Sequence, residues 1–243
     1  MRRNTIIVII LLLASSLFAQ ADLNNILNGI FRKQDKMDSE IRDAIFDGDY
    51  SYLEKNDKGN ITKTFTTKRT VYSKSYDKQK SVYSEVTENG RVLSETEKNK
   101  VLKQNRGDVQ TKLPFASRYR NLYQFSYLGE ENFNGMPIWK ISYEPNKKGK
   151  DFIQGFAYVL KSDTNVIQYQ FTPVGLPFVL KNFNIILDYT KLNNYWVPRQ
   201  FSLKMEIDVK VIFSLSHKFI EMQETYSNYR FNIGLDDSFF VNK

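Results

Sequence analysis

Residues 201–209 have the sequence FSLKMEIDV, in which every odd-numbered residue is apolar and every even-numbered residue is polar or charged. Successive side chains of a β-strand point to opposite faces of a sheet. This strict period of two therefore predicts a strand with one apolar and one solvated face, which is typical of an antiparallel sheet packed on one side.

The same alternation extends outward along the chain. We predict further strands at 50–56, 61–72, 80–88, 123–127, 139–143, 156–160, 167–171, 183–189, 211–219 and 224–233. Asn89-Gly90 and Asn134-Gly135 are strong hairpin signals between them. A sheet of about ten or eleven such strands is expected to twist and curl.

Two helices are predicted. Apolar residues at spacings of three and four indicate an amphipathic helix, ended by Asp47-Gly48-Asp49. Those residues are Leu23, Ile26, Leu27, Ile30, Phe31, Met37, Ile41, Ala44 and Ile45. Ser94 and Glu97 form a capping box, which predicts a short helix to about Asn105.

The predicted fold class is mainly β (α+β): a half-open antiparallel β-barrel with the two helices over an apolar concave face. No linker divides residues 22–243, so we expect a single domain. Two helices cannot cover all the apolar strand surface. The remainder must form a second sheet, close a barrel, fill an ordinary core or line a cavity for an apolar ligand.

The first 21 residues are typical of a cleaved secretory signal peptide. Arg2 and Arg3 precede eight consecutive apolar residues, 6–13, and Ala19-Gln20-Ala21 supplies the cleavage pattern. Cleavage near Ala21 or after Ala19 predicts an exported, periplasmic protein; an uncleaved anchor is the alternative. The chain has no Cys, which excludes disulfides and N-terminal lipidation on Cys.

The net charge is +8, which falls to +6 without Arg2 and Arg3. Residues 55–106 hold 13 Lys/Arg against 6 Asp/Glu, which accounts for this surplus. These residues form either a solvated sheet face or a surface that meets an anionic membrane. We expect that the protein does not bind nucleic acid. We also expect it to be a monomer.

Side chains for catalysis are sparse. His217, the only histidine, shares its parity with Phe213, Leu215 and Phe219, so we expect it on the apolar side as a core or rim residue. The carboxylate pairs Glu130-Glu131, Asp236-Asp237 and Glu221 with Glu224 are interpreted as surface charge. Isolated glycines such as Gly155 make no phosphate-binding loop. We predict no enzyme activity, no metal and no cofactor; a secreted hydrolase is the least favoured alternative.

Several local motifs, in this order, resemble the LolA/LolB-like lipoprotein-carrier superfamily, in particular its outer-membrane lipoprotein-sorting members. They are residues 88–95 (ENGRVLSE), 133–139 (FNGMPIW), 155–159 (GFAYV), 195–199 (YWVPR) and 226–230 (YSNYR). The resemblance implies an unclosed β-barrel with helices as a lid over an apolar cavity that takes acyl chains of lipoproteins or lipids. It implies no cofactor and no catalytic residue.

These observations together predict an exported, non-enzymatic carrier or sensor that binds acyl chains, in lipoprotein sorting or envelope lipid transport. The alternative is a cell-envelope interaction or stress-sensing domain with a filled core and no lipid ligand. Odd-numbered residues of the later strands are predicted to line the cavity. The predicted ligand-binding residues are Trp139, Ile141, Phe183, Ile185, Phe201, Leu203, Met205 and Phe213.

Overall fold

The computed structural model describes residues 23–74, 78–104, 112–149, 151–177, 179–211 and 214–241. A single antiparallel sheet of eleven strands dominates this part of the chain, which confirms the predicted fold class. The strands are β1 Asp43–Asn56, β2 Ile61–Lys74, β3 Lys78–Glu88, β4 Arg91–Val92, β5 Tyr123–Phe133, β6 Met136–Pro145, β7 Ile153–Leu160, β8 Val166–Pro173, β9 Leu180–Leu192, β10 Tyr195–Val211 and β11 Ser214–Phe231.

The strand order is β4-β3-β2-β1-β11-β10-β9-β8-β7-β6-β5. The last strand, β11, therefore pairs with the first, β1, in the interior of the sheet. β4 and β5 are the two edges, so the sheet is open, as predicted for a half-open barrel. Tight turns join many neighbours, and Asn89 (φ 49°) with Gly90 (φ 78°) has the left-handed backbone that an Asn-Gly hairpin requires.

Helix α1 spans residues 23–40 and ends earlier than predicted. Ile41, Ala44 and Ile45 are not helical, and Ala44 and Ile45 pair with both β11 and β2. Asp47-Gly48-Asp49 lies inside β1 rather than ending the helix. The buried Asp43 carboxylate accepts hydrogen bonds from the backbone N–H groups of residues 233–235, which holds this start of β1 against the chain after β11.

Helix α2 spans Glu95–Gln104 and begins at the predicted capping box. The Ser94 backbone N–H donates to Glu97 Oε2 at 2.9 Å, and Arg91 pairs with the same carboxylate at 2.8 Å. Hydrogen bonds from Arg91 and Ser94 lower the pKa of Glu97 to about 2. The loop predicted at 106–120 lies partly outside the described residues and leads into a 3-10 turn, Arg120–Leu122.

The sheet has an inner face, which carries the main core, and an outer face. Residues directly opposite each other on paired strands share a face. β10 and β11 pair with odd residues opposite even ones, for example Leu203 with Met222, because only residues 212 and 213 separate Val211 from its partner Ser214. The even residues of β11 therefore share the inner face with the odd residues of β10.

The prediction that His217 and Phe219 lie on the apolar side is consequently wrong. His217 pairs with Asp208 and Phe219 with Glu206, both on the outer face of β10. His217 Nδ1 lies 2.5 Å from Asp208 Oδ1, and its Nε2 lies 3.4 Å from Glu206 Oε2. The histidine belongs to a charged cluster on the outer face.

Candidate functional site: the inner face of the sheet

Helix α1 packs on the inner face toward β5, the segment before β5, and the β7–β8 turn. Leu23, Ile26 and Ile30 are buried in the main core cluster. Phe31 contacts the rings of Phe115 and Phe125 at centroid distances of 6.4 and 6.0 Å. We call β5–β9 with α1 the helix-packed half.

The core of the helix-packed half is filled. Ile141 and Tyr143 on β6 have no solvent-exposed surface, and Tyr143 stacks edge-on against Tyr123 and Tyr169. Burial raises the pKa of the Tyr143 hydroxyl well above its usual range. Between α1 and the sheet lies a space of about 30 Å³, enough for a water molecule or two. Trp196 lines it, and the Trp196 indole N–H has no hydrogen-bond partner in the described part of the chain.

Seven of the eight predicted ligand-binding residues belong to the inner-face core or pack against it, with different exposures. Ile141, Ile185 and Leu203 are buried members of the core. Trp139, Phe183, Phe201 and Met205 are partly buried against it. Phe213 lies outside the described residues.

Four of the partly buried residues of β9–β11 form what we call the inner strip: Phe183, Phe201, Met205 and Met222. The pairing of β10 with β11 places Met222 opposite Leu203, and Ile220 opposite Met205. The inner strip thus combines partly exposed apolar side chains with a buried floor of Leu203 and Ile220. Two of its four members are methionines, whose flexible, polarizable side chains adapt to irregular ligands.

Beyond the inner strip, β1–β3 and β11 form what we call the ion-pair half. Phe201 pairs directly with Glu224 on β11, and the Glu224 side chain is only 9% exposed. Arg69 from β2 binds its carboxylate with Nη2 at 2.6 Å and Nε at 2.9 Å. The Tyr226 hydroxyl donates to the second carboxylate oxygen at 3.0 Å.

Burial and charge act together around this pair. Burial alone would lower the pKa of Arg69, but Glu224 outweighs it and raises the pKa. Burial, together with the negative charge of Glu224, raises the pKa of Tyr50 to about 12 and that of Tyr226 further. These tyrosines therefore stay protonated as hydrogen-bond donors at any physiological pH.

A second polar network lies at the far end of the same half. Lys218 Nζ lies 2.9 Å from Glu54 Oε1, and the hydroxyls of Tyr52 and Thr62 also donate to Glu54. Burial raises the pKa of Glu54, but these hydrogen bonds outweigh it and leave the pKa below its usual value. The ion-pair half therefore holds charged side chains in fixed, hydrogen-bonded positions directly beside the apolar inner strip.

The carboxylate pairs that were interpreted as surface charge lie in different environments in the structure. Glu130 and Glu131 are exposed and pair with Lys161 and Lys140. Asp236 caps the 3-10 turn Asp237–Phe240, and Asp237 pairs with Lys74 and Lys78. Glu221 binds Lys55 near the surface. The interpretation of Glu224 as surface charge is wrong, because the parity change at β11 turns it to the inner face. Within the described residues, no group of three or more His, Asp or Glu side chains is placed to hold a metal ion.

The basic segment 55–106 is extensively paired. Lys63 binds Glu88, Lys68 binds Glu85, and Lys98 binds Glu95. Its charge surplus is thus partly neutralised by acidic groups of the same strands and helix. Contact with an anionic membrane through this segment stays a prediction.

No family model matches the sequence, and no curated protein sequence matches it. Solved structures with a similar arrangement include an outer membrane lipoprotein-sorting protein domain of Vibrio parahaemolyticus, with 13% identity and a TM-score of 0.47 over 88% of this chain and 97% of that one.

Two further structures show the same likeness. A LolA superfamily protein of Nitrosomonas europaea has 12% identity and a TM-score of 0.44, and a DUF1329 family protein of Desulfovibrio piger has 13% identity and a TM-score of 0.43. Both alignments cover 88% of this chain and 97% of the other. At such identities the likeness concerns the fold alone. Among the described helices of this chain, none has the length and apolarity needed to cross a membrane.

Proposed function

We propose that the chain is an exported, non-enzymatic protein that binds the acyl chains of a lipoprotein or lipid along the inner strip. The observation that carries this proposal is the partly exposed apolar surface of Phe201, Met205 and Met222 beside the packed core of the inner face. Partly exposed apolar surface favours an apolar ligand because burial of that surface lowers the free energy.

Two features of the surroundings support this assignment. The buried side chains of Leu203 and Ile185 form a fixed apolar surface against which the ligand would pack. The Arg69–Glu224 pair beside Phe201 offers hydrogen-bonding groups to the polar end of an amphiphile. An acyl chain with a polar head matches this arrangement better than a wholly apolar or wholly polar molecule.

The location and transport role form part of the proposal. Residues 1–21, proposed as a signal peptide cleaved near Ala21, lie outside the described residues. Export to the periplasm would bring the chain to lipids and lipoproteins of the cell envelope. We propose a single domain over residues 22–243 acting as a monomer.

A second candidate is a cell-envelope interaction domain without a lipid ligand. The filled core of the helix-packed half favours it, since Ile141 and Tyr143 leave no room for a ligand beneath α1. In this case the inner strip would be ordinary partly buried surface.

Native mass spectrometry after export and detergent-free purification separates the two candidates. A carrier is expected to retain lipid, and the stripped protein should bind a fluorescent fatty acid. Met205→Glu should abolish fatty-acid binding because it places a carboxylate in the strip, while Ser202→Glu, on the outer face of the same strand, should leave binding intact. A bare mass together with no fatty-acid binding would support the interaction domain instead.

A further inference from the structure

A groove on the outer face of β6–β9 has a cavity volume of about 310 Å³. It lies on the side of the sheet opposite α1 and the inner strip. Its walls include Glu144, Gln154, Phe156, Gln170, Thr172 and Asn184. The volume is at the lower end of the range for small-molecule pockets, about 300–1,000 Å³.

The backbone beneath the groove is fixed by Gly155 on β7. A Cβ atom at this position would lie 2.0 Å from the Gln170 carbonyl oxygen and 2.8 Å from Phe171 Cα. Only glycine permits this close approach of β7 and β8. The pairing of the strands sets Phe156 opposite Gln170, and Gln154 opposite Thr172, on the outer face.

One wall of the groove is oriented by a buried chain of hydrogen bonds. Gln170 Nε2 donates to Gln168 Oε1 at 2.9 Å, and Gln168 Nε2 donates to Asp188 Oδ1 at 2.7 Å. Gln168 is itself buried. The Gln170 amide is therefore held in place at the groove, with hydrogen-bonding capacity left over.

The other polar side chains that line the groove are available to a ligand. In the part of the chain that the structure describes, the side chains of Glu144, Gln154 and Asn184 make no hydrogen bond or ion pair. Three amides supply both donors and acceptors, Glu144 supplies acceptors, and the Phe156 ring supplies a flat apolar surface. Lys140, whose Nζ lies 4.3 Å from the Phe156 ring centroid, is already paired with Glu131.

We propose that this groove binds a neutral saccharide. Sugar hydroxyls both donate and accept, so they match planar amides, and the C–H face of a sugar ring packs on an aromatic ring. An anion is disfavoured because the walls carry a carboxylate and no unpaired cation. An acyl chain is disfavoured because most of the walls are polar. This site is independent of the inner strip.

Saturation-transfer NMR on the purified chain tests the proposal. The probes are maltose, cellobiose and N,N′-diacetylchitobiose at millimolar concentration, with tetraglycine as a peptide probe. We expect one of the disaccharides to bind and tetraglycine not to bind. The double variant Gln154→Ala/Asn184→Ala should weaken the saccharide about tenfold by removing two hydrogen-bonding partners.

Gln223→Ala is the matched control, because Gln223 is an exposed amide on the outer face of β11, away from the groove. It should leave saccharide binding unchanged. Since Gln154 and Asn184 are exposed, the double variant is expected to fold, which circular dichroism and retained fatty-acid binding would verify; if it does not fold, Gln154→Ala alone is measured. Failure of all three disaccharides to bind, preferential binding of tetraglycine, or unchanged saccharide affinity in the folded groove variant would each overturn the proposal.

Discussion

The two halves of the inner face are stabilised by different means. The helix-packed half is apolar and closely packed, with Ile141 and Tyr143 fully buried. The ion-pair half buries Arg69 and Glu224, whose attraction must offset their desolvation. The helix-packed half thus gains stability from the burial of apolar side chains. The ion-pair half holds a pair of opposite charges in a fixed position. The inner strip lies at the boundary between them, where an amphiphile would find both environments.

The largest expected effect comes from a charge placed in the buried floor of the inner strip. Leu203 is 8% exposed in the core cluster, so Leu203→Glu should lower the free energy of unfolding by about 4–5 kcal/mol. Urea denaturation measures this change. The adjacent exposed Lys204→Glu is the control and should change stability by about 0.5 kcal/mol or less. A folded Leu203→Glu variant as stable as the control would show that this floor is open to water.

The ion-pair half should respond differently to single and double substitutions. Each single variant, Glu224→Leu or Arg69→Met, leaves the other charge buried without its partner and should cost about 3–4 kcal/mol. The double variant Arg69→Met/Glu224→Leu removes both charges and should lie within about 1 kcal/mol of the original protein. A double-mutant cycle by urea denaturation measures both. If the double variant loses as much as the two single losses combined, the pair does not act as a unit.

A shortened side chain on α1 tests how much the helix stabilises the helix-packed half. Ile30 lies on the buried side of α1, so Ile30→Ala should cost about 2–3 kcal/mol through lost contacts and a new void. Asn28→Ala, on the exposed side of the same helix, should have little effect. Thermal unfolding followed by circular dichroism compares the two variants. Equal melting temperatures for them would mean that α1 contributes little to the packed half.

The smallest effect concerns acid stability in the ion-pair half. The pKa of Glu54 is lower in the folded protein than its ordinary value of 4.5, so its contribution is present above about pH 4.5 and is lost as pH falls through the folded-state pKa. We expect Glu54→Gln to cost about 1–2 kcal/mol at pH 7 and less at pH 3. Urea denaturation at both pH values checks this. A cost that does not shrink at pH 3 would contradict a charged interaction with Lys218.

The sequence predicted the repetitive part of the fold because strand alternation, Asn-Gly turns and the capping box are local signals. The end of α1 was missed, since Ile41, Ala44 and Ile45 fit a helical spacing as well as a strand. Tertiary pairing with β11 and β2 decides their structure. Local preference alone could not show this.

The site was predictable only in part for a related reason. Leu203 and Met205 of β10 do lie on the inner face, but the residues of β11 that join them depend on the register between the two strands. That register places Glu224 inward and His217 outward. The partner of Glu224, Arg69, lies 155 residues away in the sequence, so no local pattern links the two. The outer groove depends on how closely β7 approaches β8 at Gly155, which no residue pattern specifies.

Photocrosslinking with a diazirine fatty acid tests the central claim most directly, because it shows where an acyl chain lies. After irradiation and digestion, mass spectrometry locates the adducts. We predict adducts on the inner strip, at Phe201, Met205 or Met222, and their loss when unlabelled fatty acid competes. Adducts only at exposed apolar residues away from the strip, such as Val82 or Leu128, would contradict the assignment of the inner strip as the acyl-chain site.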